Sequence, residues 1–376
     1  MIRLTIVTRN FPPLQGGMER LNEQIFKILS KQYQCQLFGP AGCEEYVAKG
    51  VATGSRISPT PLFLLLSFVR AFISHLKNKP PRVVIGGSGL VAPVVVTLSK
   101  IFGSRSVLMI HGLDIIVESR LYQLVFLPFI RHADLIVSNS ENTKNLAIAR
   151  GVNSHRIVVI PPGVEIPELS NKESEIQDNP KITDAKILLS VGRLIPRKGL
   201  SEFIRQGLPS LINHDPDVEL WIAGTEAKSA LNKNRFSVQA QIEQAIEETG
   251  LQDNIKLLGR VEDSELSALY RAADVFVFPL IETAGDVEGF GMVAIEAAIH
   301  GTPTVAFDCG GVRDAIEHGE SGYLVKPGEY EEFMDAIKRA PHELDSKVIT
   351  DFAASFSWHR YGPKLCRVIN ELVEKH

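Results

Sequence analysis

Cysteine is scarce: Cys35, Cys43, Cys309 and Cys366 are the four in 376 residues. None stands at the close paired spacing of a zinc site, and four in so long a chain make no disulfide framework, so a reducing compartment is expected. Long apolar runs are missing too. No stretch reaches the 18 or so uncharged apolar residues that cross a bilayer, and the start, with Arg3 and Arg9 interrupting its apolar residues, lacks the core of a signal peptide. The expectation is a cytoplasmic protein. Excess charge of one sign is absent as well, with 40 Lys and Arg against 44 Asp and Glu, which gives no reason to expect nucleic acid as a partner. The glycines after the first strand, Gly16-Gly17, lack the Gly-x-Gly-x-x-Gly pattern of a dinucleotide dehydrogenase. No His-rich or Glu-x-x-His cluster suggests a metal.

What is present is a regular alternation. Short β-branched runs at Leu4 to Thr8, Val83 to Ile85, Ser106 to Ile110, Leu135 to Ser138 and Ile157 to Ile160 are separated by segments of helical period, such as Met18 to Lys31, Leu62 to Leu76 and Leu121 to His132. After Pro161-Pro162-Gly163 comes a polar stretch, Glu168 to Asp184, which reads as a connection. The alternation then restarts at Ile187 to Val191, Val218 to Ala223, Ile255 to Leu258, Val275 to Phe278 and Thr304 to Ala306. Strand-helix alternation predicts parallel sheets with crossover helices. The fold class is therefore α/β, as two doubly wound Rossmann-like domains facing a cleft, with ligands expected beyond the carboxyl ends of the strands. Residues 1–160 carry 18 basic and 8 acidic side chains, a balance of +10, whereas 161–376 carry 22 and 36, a balance of −14.

Four loops after strands carry chemistry. Asn10 to Gly17 ends in Gly16-Gly17 at a helix start, where free amides favour an anion; a tight turn is the plainer reading. In Ile110-His111-Gly112, His111 is either a structural histidine or a group that meets a sugar hydroxyl or moves a proton. Gly192-Arg193 and Lys198-Gly199 place two cations five residues apart on a glycine-bounded loop, suited to a diphosphate. In Glu288 to Glu296, Gly289 and Gly291 lead into a helix, and the two carboxylates, about 12 Å apart if the segment is wholly helical, suit hydroxyl-bearing rings on either side of a diphosphate.

These motifs in this order resemble the retaining glycosyltransferases of family four (group 1), which have the GT-B fold, over nearly the whole chain. Phe356-Ser357-Trp358 resembles that family's closing segment, where the last helix returns to the first domain. The resemblance implies an acceptor-side domain of residues 1–165 with 360–376 and a nucleotide-sugar domain of 166–359. It implies Gly16 and Gly17 at the donor β-phosphate and Arg193 and Lys198 on the diphosphate leaving group. It also implies Glu296 on the ribose hydroxyls, Glu288 with the amides of Phe290, Gly291, Met292 and Val293 on sugar and phosphates, His111 at the transferred sugar, and Val261 at the base. Catalysis would then rest on His111, Arg193, Lys198 and Glu288, without metal or other cofactor. The partners implied are a nucleotide diphosphate sugar and a lipid-linked or saccharide acceptor. Asp286-Val287 resembles a subset among bacterial cell-envelope transferases.

Other readings stay open. A sugar-nucleotide epimerase shares the diphosphate logic, and a two-lobed sugar-binding protein shares the architecture. Asp215-Pro216-Asp217 matches a metal-binding pattern of a different glycosyltransferase fold, but stands before a strand, at the edge away from ligands, where a turn is expected. Leu62 to Ile73 is apolar on nearly every face, then Lys77 and Lys79 follow: a core helix, or one that docks on an anionic membrane. Ser138-Asn139-Ser140 either caps the next helix or touches a substrate.

Overall fold

The computed structural model describes residues 2–167, 185–226 and 237–374; the polar connection at 168–184 lies outside them. The chain divides into two compact units, Met1–Gly163 with Trp358–His376, and Val164–Ser357.

Unit 1 holds seven strands: β1 (Arg3–Val7), β2 (Gln34–Pro40), β3 (Ala52–Ser55), β4 (Val83–Gly86), β5 (Arg105–Ile110), β6 (Leu135–Ser138) and β7 (Ile157–Val159). They pair in parallel in the order 3-2-1-4-5-6-7. A parallel sheet is covered on both faces, and successive side chains must serve opposite cores. Leu4, Ile6, Val83, Ile85, Val107, Met109, Leu135 and Val137 enter one cluster, and Val7, Val84, Leu108, Ile110 and Ile136 enter the other. The first face is covered by the helices Gly17–Gln32 and Trp358–Glu374, through Leu21, Ile25, Leu29, Tyr361, Leu365 and Ile369. The Tyr33 hydroxyl donates to Asn370 Oδ1 at 2.8 Å, and Gly163 leaves room for the Trp358 indole.

Unit 2 holds β8 (Lys186–Val191), β9 (Val218–Ala223), β10 (Ile255–Gly259), β11 (Val275–Phe278), β12 (Thr304–Phe307) and β13 (Gly322–Val325), parallel in the order 10-9-8-11-12-13. The same alternation recurs, with Leu188, Val218, Leu220, Val275, Val277 and Val305 on one face and Ile187, Leu189, Trp221, Phe276 and Phe278 on the other.

Three strands go beyond the runs read from sequence. β2 begins with three polar or small residues and ends in Gly-Pro, β3 is Ala-Thr-Gly-Ser, and β13 starts with glycine. Their pairing is supplied by neighbours, not propensity. The helix expected from Leu121 to His132 is two, Arg120–Val125 and Leu127–His132. Pro128 has no N–H to continue the first and suits the opening turn of the second.

The helix Thr60–Lys77 resolves its double reading by face. Phe63, Ser67, Ala71 and His75 are buried, with His75 Nε2 hydrogen bonded to Thr5 Oγ1 at 2.9 Å on β1. Burial holds the His75 imidazole down to about 4. Leu62, Leu65, Val69, Ile73 and Leu76 form an exposed stripe. Among the described helices this one is long and apolar enough to cross a membrane, yet its buried face belongs to the sheet.

Candidate active site

Each sheet reverses its winding once, between β1 and β4 in unit 1 and between β8 and β11 in unit 2. Loops leaving neighbouring strands there diverge to opposite faces and open a crevice, the usual ligand position of this architecture. The sequence motifs fall on these loops and their neighbours.

In unit 1, Gly17 opens a 16-residue helix, Gly16 is its cap without a side-chain bond, and the space where a Gly17 side chain would stand is open. Glu19, in the first turn, is held by Asn10 Nδ2 at 2.7 Å, so a carboxylate already sits beside these amides. The His111 ring bonds through Nε2 to the Gly87 carbonyl at 3.0 Å. A carbonyl only accepts, so Nε2 carries the proton and Nδ1 of a neutral ring has the lone pair. The His111 N–H donates to Asp114 Oδ2 at 3.0 Å, and burial raises the Asp114 carboxyl above its usual range despite His111. Gly87 has no room for a Cβ between Asn22 and Thr8, which explains a glycine directly after β4. Ser140 caps Glu141–Ala149 by accepting from Thr143 N at 3.0 Å.

In unit 2, the turn Pro196–Lys198 is folded onto the chain leaving β11. Ile281 N donates to Arg197 O at 2.9 Å, and Gly199, at φ +63°, lies where a Cβ would overlap the Pro279 carbonyl. This approach buries Lys198 (9% exposed) over the Phe278 ring, 4.2 Å from its centroid. Lys198 Nζ donates to Glu288 Oε2 at 2.9 Å, and Arg197 Nη2 donates to the same oxygen at 3.2 Å. Arg197 Nη1 grips both oxygens of Asp286, at 3.1 and 3.0 Å. Burial pushes the Glu288 carboxyl up, but Lys198 and then Arg197 outweigh it and bring it down to about 2. The same burial lowers the Lys198 ammonium below its ordinary value, partly offset by Glu288. Asp286, Arg197, Glu288 and Lys198 are thus linked in one run of ion pairs.

This differs in part from the expected diphosphate grip. Lys198 is engaged by Glu288, whereas Arg193 is exposed and makes no hydrogen bond or ion pair among the described residues. Arg197 and Asp286 were not among the expected site residues; the run Arg197-Lys198 and the acidic pair at 286 and 288 were the available signals. The wholly helical spacing of the carboxylates does not hold either. Gly291 takes φ +97° and the helix begins only at Met292, leaving Glu288 on a loop that Gly311 N fastens through the Glu288 carbonyl at 2.8 Å. Phe290 is buried in the core beneath that loop, with Val293 packed against the same cluster. Glu296, in the second turn, accepts from the Tyr270 hydroxyl at 3.1 Å. Val261 follows β10 and Gly259, which turns at φ +65°. Asp215 pairs with Lys186 at 3.1 Å, before β9. No three His, Cys, Asp or Glu side chains gather as a metal set among the described residues.

Two family profiles match almost end to end: one described as Glycosyltransferase Family 4 over residues 15–167 and one as Glycosyl transferases group 1 over 171–347. A D-inositol 3-phosphate glycosyltransferase of Geodermatophilus obscurus is 31% identical over 255 residues, 65% of this chain and 54% of the relative, so the match spans about half of that protein's length. A GDP-mannose-dependent alpha-(1-6)-phosphatidylinositol monomannoside mannosyltransferase of Mycolicibacterium smegmatis is 26% identical over 362 residues, 91% of this chain and 88% of the relative. In three dimensions, Anabaena HepE solved with UDP superposes with a TM-score of 0.77 at 20% identity, covering 99% of this chain and 100% of that one. Sucrose-phosphate synthase from Thermosynechococcus elongatus gives 0.78 at 20%, covering 100% of both. With two doubly wound sheets, the motif loops at their carboxyl ends and the two profiles matching 15–167 and 171–347, the chain belongs to the family-four, group 1 glycosyltransferases of GT-B fold.

Proposed function

We propose that the protein transfers a hexosyl group from a nucleotide diphosphate sugar to an acceptor hydroxyl with retention of configuration, in bacterial cell-envelope polysaccharide or glycolipid synthesis. The observation that carries this is the buried Lys198 ammonium held on Glu288 beside the exposed Arg193 at the winding reversal of unit 2. In the reaction the bond from the anomeric carbon to the β-phosphate oxygen breaks and its electron pair stays on that oxygen. The acceptor oxygen bonds the same carbon, and its proton passes to the departing phosphate. The developing charge is met by Arg193, exposed and without another partner among the described residues, and by Lys198, which turns from Glu288 to the phosphate. A metal is not required in this reading.

Glu296, held by Tyr270, takes the ribose hydroxyls, Val261 faces the base, and the Phe290 to Val293 backbone approaches the donor. In unit 1, His111 meets a sugar hydroxyl, and the Gly16-Gly17 amides meet phosphate once Glu19 yields. The relatives' names include D-inositol 3-phosphate and phosphatidylinositol monomannoside. An acceptor bearing its own phosphate, lipid-linked or free, suits the +10 balance of residues 1–160. The exposed stripe Leu62, Leu65, Val69, Ile73 and Leu76, with Lys77 and Lys79 beyond it, fits peripheral docking from the cytoplasmic side on an anionic membrane.

The test is incubation with a panel of UDP- and GDP-sugars and phosphorylated acceptors, with and without EDTA, reading free nucleotide, new glycoside and its anomeric configuration. Retained configuration and EDTA-insensitive release of nucleotide are expected. Epimerised donor with no release would transfer the assignment to an epimerase, binding without turnover to a sugar-binding protein. Activity abolished by EDTA and restored by magnesium would overturn the metal-free leaving-group scheme. Flotation should succeed with anionic vesicles at low salt; failure with anionic and neutral vesicles alike removes the membrane.

A further inference from the structure

Lys198 and Arg197 spend their hydrogen bonds to Glu288 on one oxygen. Both donate to Oε2, and Oε1 accepts none from a described residue. Arg197 is itself immobilised from the far side, since Asp286 takes Nη1 on both oxygens and is stiffened by accepting from Val287 N at 2.9 Å. Backbone bonds hold both ends of this chain, Ile281 N to Arg197 O and Gly311 N to Glu288 O. A lone ammonium would make a sufficient partner for one carboxylate. The second cation is costly: its side chain is 12% exposed, and its Nε is buried without a partner among the described residues, a donor that loses water and gains nothing there. A pair arranged for stability alone would avoid that loss.

We propose that Arg197, gripped by Asp286, is a positioning residue: it holds Glu288 by Oε2 so that Oε1 receives a hydroxyl of the transferred sugar, and it keeps Glu288 in place when Lys198 turns from that carboxylate to the leaving phosphate. This rests on the transfer reading above. It divides the work of two adjacent cations. Lys198, a flexible point charge, can exchange partners, whereas the planar guanidinium spans two carboxylates at once. The charge of Arg197 also keeps Glu288 acceptor-only after Lys198 has left.

The acidic and basic groups around Glu288 are Lys198 and Arg197 on the turn after β8, Asp286 on its own loop, and Cys309 after β12, whose thiol burial holds up at about 11. Glu282 and Asp308 lie beyond, near Cys309. Carboxyl-13C glutamate labelling isolates the glutamates from Asp286 and Asp308, and Glu288→Gln identifies the signal by its loss. With both cations present, Glu288 titrates near 2. In Arg197→Gln its midpoint should rise by about one to two pH units, the effect of losing one adjacent opposite charge; Asp286→Asn, which removes a like charge, should not raise it but should lower kcat by releasing Arg197, and Arg197→Lys should leave the midpoint close to wild type. Turnover of the nucleotide sugar should fall about tenfold or more in kcat in Arg197→Gln, with the donor KM changed less than about threefold and partial rescue by Arg197→Lys. If Arg197→Gln does not fold, Asp286→Asn carries the comparison through its kcat, with Arg197→Lys as the conservative control. An unmoved Glu288 midpoint in Arg197→Gln, or unchanged kcat in Arg197→Gln or in Asp286→Asn, overturns the proposal. A shifted midpoint in a protein whose wild type turns over no nucleotide sugar upholds the clamp on Glu288 but sinks the transfer reading and the role given to Oε1.

Discussion

Arg193 and Lys198 stand five residues apart, carry the same charge and are assigned the same diphosphate, yet their surroundings separate them. Lys198 is buried against Phe278 and paired with Glu288, while Arg193 is exposed. Replacing either by alanine removes a charged hydrogen bond to the leaving group, worth about 1.5–3 kcal/mol, or roughly ten- to 150-fold in turnover. Only Lys198→Ala should also destabilise the fold, because it strips a buried carboxylate of one partner. Arg193→Ala should stay within about 0.5 kcal/mol of wild type. Urea denaturation beside donor turnover checks both, and normal turnover in the two variants would remove the phosphate assignment. Lys198 and Glu288 were legible in the sequence because glycines flank them. Arg197 and Asp286 were not, since a basic neighbour in a loop looks like solvated surface until another loop is seen to fold over it.

At the scale of elements, the helix Thr60–Lys77 is instructive. Its composition gives no face, because apolar residues occupy nearly every position, and period-based reading fails where there is no polar side to mark. The fold assigns the faces by packing Phe63, Ser67, Ala71 and His75 on the sheet. Phe63→Ala should therefore cost about 3–5 kcal/mol, whereas Leu65→Ser, at a position 58% exposed, should change stability by less than about 0.5 kcal/mol. Thermal melting of the two variants decides; equal losses would mean that the exposed stripe is covered. The strands β2 and β3 teach the converse. Their residues have weak strand preference, and they form because β1 offers a paired edge that β2 extends and β3 completes.

At the scale of the molecule, the last helix belongs to the first unit. Trp358–Glu374 places Tyr361, Leu365 and Ile369 against Leu21, Ile25 and Leu29. Burying such side chains contributes roughly 1.5–3 kcal/mol each, against a domain stability of about 5–15 kcal/mol. Deleting residues 358–376 should therefore abolish hydrogen-exchange protection in β1 and β4 and leave β8 and β11 protected. Loss confined to the deleted helix would show that unit 1 stands without it.

The sequence by itself determined the α/β class, the restart of the alternation after residue 163, the family, and the positions of Lys198, Glu288 and Glu296 along the chain. These depend on local period and on glycines that mark turns, information carried by near neighbours. The tertiary structure alone decided the strands with weak propensity, the buried face of Thr60–Lys77, and the partners of each charge. Asp286 meets Arg197 across 89 residues, and Glu288 meets Lys198 across 90. Such pairs exist only because β8 and β11 lie side by side at the winding reversal and bring their following loops together.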